Sequence, residues 1–132
     1  MRYTICLATI FIILVLVAAC DDTIKVTDLD NVKIPSSNIS YAQYIQPVFT
    51  AKCTFSGCHN DQDVAGGLSV TSWTNARSNY QIVAPFYPQN SRLIWRIEGT
   101  SGTIMPPLIY WGLTQNQRDG ITTWVKEGAK NN

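Results

Sequence analysis

The chain predicts a small, mostly α domain of about three helices joined by long loops. Three observations carry this. Two segments open on capping-box patterns, Ser40 with Gln43 and Thr114 with Gln117, and continue with apolar residues at helical spacing. A third short stretch, "SRLIWRI", has the same periodicity. No run of alternating apolar and polar residues marks a strand.

The 132 residues allow one domain, preceded by a separate leader. Arg2 gives a basic start, and Ile5 to Ala19 is an apolar run of 15 residues broken by a single threonine. That is shorter than the roughly 20 residues needed to cross a bilayer. It suits the apolar region of a secretory signal. The run stops at "VAAC", which resembles a bacterial lipobox. The resemblance implies a signal peptide over residues 1–19, cleavage before Cys20 and lipidation of Cys20. The chain would then be lipid-anchored to a membrane of the bacterial cell envelope, facing the extracytoplasmic side. The other reading is an uncleaved helix with an incidental cysteine. Residues 20–38 carry four aspartates and "PSSN" and read as a polar tether. Without residues 1–19 the chain keeps nine basic and nine acidic side chains. A net charge near zero argues against a nucleic-acid partner.

The domain spans 39–132. Its first helix starts near Ser40, where Ile39 can staple onto Tyr44, and Ile45, Val48 and Phe49 recur at helical spacing. Pro47 must kink this helix or mark a restart, because it has no N–H to donate. A second helix covers Ser91 to Ile97, with Leu93, Ile94 and Ile97 inward. The last helix opens at Thr114, buries Ile121, Trp124 and Val125, and stops near Gly128. Gly120, inside it, is about 1 kcal/mol worse than alanine, so a close approach of another backbone is expected there, from the first helix. The loops "AGGLSV", "APFYPQN" and "GTSGTIMPPLIYWG" are long for a compact domain. A bound cofactor would hold them.

The chemistry gathers in "KCTFSGCHN", residues 52–60, where two cysteines are followed by the chain's single histidine, His59. Four readings are open. A disulfide between Cys53 and Cys58 suits an oxidising compartment but leaves His59 a coincidence. A structural zinc or iron–sulfur site wants four N or S ligands, one more than the mature chain supplies here. A blue-copper centre needs two histidines, although a Cu(I) carrier using Cys53, Cys58 and Met105 remains open. Covalent haem attachment uses C-x-x-C-H, in which the imidazole next to the second thioether reaches the iron. Here the spacing is C-x4-C-H, and Ser56 and Gly57 are suited to looping out the two extra residues. Met105 lies 46 residues after His59 in "TIMPPL" and is the only methionine left after residue 1. Pro106 and Pro107 stiffen the loop that presents it. It is the candidate sixth ligand, with a core methionine as the alternative.

Four stretches in order resemble the small class I monohaem c-type cytochromes of bacterial envelopes: "YIQPVFTAKC" running into "CTFSGCH", "AGGLSV", "IMPPL" and "LTQNQRDGITTWVKEGAK". The resemblance implies a cytochrome c-like fold wrapped around one covalent haem c. It implies thioethers at Cys53 and Cys58, His59 as proximal iron ligand, Met105 as distal iron ligand, and a crossing of the first and last helices. Relatives commonly place a Gly-Pro turn after the haem motif, whose carbonyl orients the imidazole. "AGGL" stands in its place. Arg77, Arg92, Arg96, Trp73 and Trp95 are candidates to face the propionates, against a plain surface or core role. The implied function is that of a membrane-anchored electron carrier rather than an enzyme, exchanging electrons with redox partner proteins of the envelope. The exposed haem edge would lie near Thr54 and Phe55. A haem-based sensor, a haem module of a larger complex and a haem-free disulfide-linked lipoprotein are the alternatives.

Overall fold

The computed structural model describes residues 26–132. The expected signal peptide and lipidation site at Cys20 lie outside them. Five α-helices are present and no strand occurs among the described residues: α1 Val26–Asn31, α2 Gln46–Cys53, α3 Trp73–Ala76, α4 Arg92–Glu98 and α5 Gln115–Lys126. No helix among them is long and apolar enough to cross a membrane.

The first predicted helix comes in two pieces, and Pro47 is the reason. Ser40 caps its start by accepting from the Gln43 N–H at 3.2 Å. Tyr41–Ile45 then winds as a wide π turn, and α2 restarts at Gln46. Pro47 thus sits in the first turn of a new helix, where a missing N–H leaves no rung unfilled. The start of this segment is tied to the end of the chain. Tyr41 N–H donates to Asn132 Oδ1 at 3.0 Å and Ala42 N–H to the Asn132 carbonyl at 3.0 Å. Both oxygens of Glu127 accept from the backbone of Asn38 and Ile39, at 2.6 and 2.8 Å.

Helix α5 has the complete capping box. Gln117 N–H donates to Thr114 Oγ1, and Thr114 N–H donates back to Gln117 Oε1. Its apolar face meets the first segment through three aromatic rings. Phe49 lies edge-on to Trp124 at 6.1 Å, and Tyr41 contacts Trp124 at 5.2 Å. Ile45, Ile121 and Val125 are fully buried around them. Helix α4 buries Ile94 and Ile97, with Leu93 partly covered, as its periodicity predicts. Helix α3, which is not among the three helices that the sequence predicts, is one capped turn: Ser72 Oγ accepts from Asn75 N–H.

Residues 26–38 correct the expectation of a tether. Leu29 and Ile34 are buried, and the segment docks on α5 and α2. Asn116 grips Ile34 at both backbone groups, at 2.8 and 3.0 Å. Gln117 Nε2 donates to Asp30 at 3.0 Å, and buried Lys52 pairs with the same carboxylate. The close approach at Gly120 is real, but its partner is Ile34 rather than the first helix: a Cβ on Gly120 would fall 2.7 Å from Ile34 Cγ2. The packing of this segment is hard to read from sequence because the partners that hold Ile34 and Asp30, Asn116 and Gln117, lie more than 80 positions away.

Candidate functional site: an apolar cavity with sulfur and imidazole in its wall

Helix α2 ends at Cys53, so the attachment stretch starts where the helix hands over to a loop. The C-x4-C-H spacing is absorbed by a tight turn. Cys58 N–H donates to the Phe55 carbonyl at 2.9 Å, and Gly57 takes φ +78°, the left-handed value that the third residue of a type II turn requires. His59 N–H returns to the Cys53 carbonyl at 2.9 Å. Asn60 and Asp63 close the turn from outside. Asn60 Nδ2 donates to the Phe55 carbonyl, while Asp63 Oδ2 accepts from Gly57 N–H at 2.7 Å and from Asn60 Nδ2 at 2.6 Å. These bonds, with Asn60 first, hold the Asp63 carboxyl below its ordinary range. Next to it, Asp61 accepts from Ser69, Thr71 and Asn75, and bonds from Ser69 and then Thr71 hold it low as well.

The carbonyl that orients His59 belongs to Leu68. His59 Nδ1 stands 3.3 Å from the Leu68 oxygen. A carbonyl only accepts, so Nδ1 carries the hydrogen and Nε2 of the neutral ring keeps a free lone pair. A metal-binding imidazole needs this arrangement. It is supplied by "AGGL": Gly66 and Gly67 adopt φ +64° and +77° and turn the chain so that Ala65 N–H reaches the Cys58 carbonyl and Val70 N–H the His59 carbonyl.

Met105 is presented by a separate loop. Its N–H donates to the Arg96 carbonyl at 2.9 Å, and Arg96 Nη1 reaches the Thr103 carbonyl at 3.4 Å. Gly102 takes φ +71°, a left-handed value that favours glycine, and packs against the Arg96 guanidinium. The Met105–Pro106 peptide is cis.

These elements enclose one cavity of about 460 Å³, and Cys53, Cys58, His59 and Met105 all line it. The volume is in the range of small-molecule and cofactor sites. Phe49, Leu68, Val70, Ile82 and Ile97 supply apolar wall, and Pro106, Pro107 and Tyr110 the rim of the Met105 loop. Phe55 and Tyr110 stack across the mouth at 5.7 Å. Both cysteines are free thiols. The Cys53 thiol is pushed up to about 12, mainly by burial and secondarily by Cys58, with Lys52 opposing. Among the described residues no three His, Cys, Asp or Glu side chains converge on one metal position, so Cys53, Cys58 and His59 do not form a single chelating cluster.

Of the five residues considered for propionates, Arg92 and Arg96 line the cavity. Neither has a carboxylate within ion-pair distance among the described residues. Arg77 instead lies over the Trp73 ring at 5.8 Å, Trp73 Nε1 donates to the Ala129 carbonyl and Trp95 Nε1 to the Gln89 carbonyl. Sequence reasoning missed Lys52. It lines the cavity yet points its ammonium away, to Asp30 and to the Gly112 carbonyl at 2.7 Å. A lysine beside a cysteine at a helix end carries no signal of burial.

Residues 56–108 match the model of the family described as Planctomycete cytochrome C. The match contains Cys58, His59 and Met105, begins after Cys53 and spans less than half the chain. No curated protein matches, and no solved structure matches. The helical fold, a cavity that gathers the cysteine–histidine stretch and Met105, and the family match over part of the chain together describe a small, mostly α, cytochrome c-like fold.

Proposed function

We propose that the chain is a one-electron carrier that holds one covalent haem c and is tethered to the envelope membrane through Cys20. The observation that carries the proposal is the convergence of Cys53, Cys58, His59 and Met105 on one apolar cavity, from two separate stretches of the chain. The residues fit such a group. Two thiols stand at the attachment edge. His59 presents a bare Nε2 because Leu68 holds its other nitrogen. Arg92 and Arg96, with no carboxylate paired to them among the described residues, would offer positive charge to an anionic edge.

When bound, haem supplies a one-electron iron couple. His59 and Met105 would both hold the iron, taking coordination positions that CO would otherwise fill, and a thioether beside an imidazole would raise the reduction potential relative to harder ligand sets. The apolar wall would keep water away from a bound haem. Phe55 and Tyr110, both partly exposed and both lining the cavity, would border the edge of a bound haem. The partners are redox proteins of the envelope.

The test is expression of the full chain in a host with a working cytochrome c maturation apparatus. The intact mass should carry one haem, and the Cys20 peptide should carry lipid. The oxidised protein should show a thioether–iron absorption band, and the reduced protein should not bind CO. Met105→Ala should lose the band and bind CO while keeping its haem mass. A colourless product, or CO binding by the unaltered chain, would sink the carrier.

A further inference from the structure

We propose that the loop carrying Leu108, Ile109 and Trp111 inserts into the surface of the membrane to which the chain is anchored. The proposal rests on the anchoring of Cys20 stated above. Leu108 and Ile109 are each 87% exposed and Trp111 is 59% exposed, side by side in one loop. A consecutive group this apolar and this open calls for an occupant. Residues 99–117 carry no charged side chain, so the loop can leave water without desolvating a charge. Leucine and isoleucine beside a tryptophan match the side chains that settle at a bilayer interface.

Position selects lipid over a protein partner. Lys52 Nζ bonds both Asp30 Oδ1 of α1 and the carbonyl of Gly112, the residue after Trp111. The loop and the N-terminal helix therefore share one pole of the molecule. Val26 opens that helix six positions after Cys20, a span of at most about 20 Å when fully extended. Asp30 is about one helical turn, roughly 6 Å, further on. An anchor at Cys20 thus holds this pole near the bilayer. Tyr110, in the same loop, lines the cavity and stacks on Phe55, so insertion would set the cavity mouth beside the membrane surface.

The experiment reconstitutes the full, processed chain into vesicles of phosphatidylethanolamine and phosphatidylglycerol containing a phospholipid with a photoactivatable acyl chain. Adducts are mapped by mass spectrometry, which reads the lipid on Cys20 in the same run. Adducts should fall on residues 108–111. Leu108→Ser with Ile109→Ser should lower their yield about tenfold or more, from two apolar side chains removed from the interface, with circular dichroism and thermal midpoint unchanged. Adducts confined to the N-terminal residues, with Cys20 lipidated, would overturn the loop proposal alone. Protection of 108–111 from the lipid, together with a dimeric mass in the same vesicles, would overturn it in favour of a second copy as the occupant. Absence of lipid on Cys20 with adducts still on 108–111 would refute the anchor and keep the loop.

Discussion

Asp63 shows how one side chain makes an unusual motif workable. Two residues more than the common spacing separate Cys53 from Cys58, and the turn they form is closed by a single carboxylate oxygen accepting from Gly57 N–H and Asn60 Nδ2. The sequence displays Gly57 and therefore the turn, but not its closure, because Asn60 and Asp63 look like ordinary loop residues. The bonds lower the folded-state pKa of Asp63 below its unfolded value near 4. The stability they contribute is therefore present above about pH 4 and is lost as pH falls through the folded-state value. Thermal midpoints followed by circular dichroism should drop on acidification below about pH 4, and Asp63→Asn should flatten that drop. Asp61, also held low, leaves part of the slope in place. An unchanged slope in Asp63→Asn would show that the turn does not depend on this charge. At the same scale, the four residues read from the sequence as cofactor-holding share one cavity, while the carbonyl that orients His59 was legible only as far as the stretch "AGGL": any residue supplies a carbonyl, and only the fold decides that Leu68 does.

Among the elements, the capped helices were the most legible. Thr114 with Gln117 and Ser40 with Gln43 use local physics, a side-chain oxygen meeting an N–H three positions on, and need no knowledge of the rest of the chain. Pro47 was legible as a problem and not as a solution, since a kink and a restart satisfy the same missing donor. Gly120 was legible as a close contact whose partner was misassigned. Its actual partner, Ile34, gives a sharp test. Alanine at 120 gains about 1 kcal/mol of helix propensity. Its Cβ must displace Ile34, an overpacking effect that commonly amounts to about 1–3 kcal/mol. Gly120→Ala should therefore be destabilising or at best neutral. In an Ile34→Ala background the obstruction is gone, and the same change should stabilise by about 1 kcal/mol. Urea unfolding of the four proteins measures the coupling. Equal effects in both backgrounds would mean that Ile34 does not press on α5.

At the scale of the whole molecule, the N-terminal segment changes what the domain is. It brings Leu29 and Ile34 into the core, and it gives Lys52 and Gln117 the carboxylate of Asp30. Lys52 is fully buried, and its remaining bond is to Gly112, at the base of the exposed loop that follows Met105. Three parts of the chain therefore meet at one ammonium: the segment next to the proposed anchor, the helix that ends in Cys53, and the loop on the Met105 side. A linker of 13 residues could be cut away without effect, and deletion of residues 26–38 distinguishes the two descriptions. Deletion removes the only ion pair among the described residues and leaves Lys52 buried with one partner, a loss of about 3–5 kcal/mol by itself. Burial of Leu29 and Ile34 is worth about 1.5–3 kcal/mol each. A domain of this size has about 5–15 kcal/mol in total. The deleted chain should thus unfold at or near room temperature, read by circular dichroism and by rapid proteolysis in the 100–112 loop. A second deletion that also carries Lys52→Met should recover part of the loss, because no buried charge is then stranded. Full stability of the first deletion would return residues 26–38 to the role of a tether.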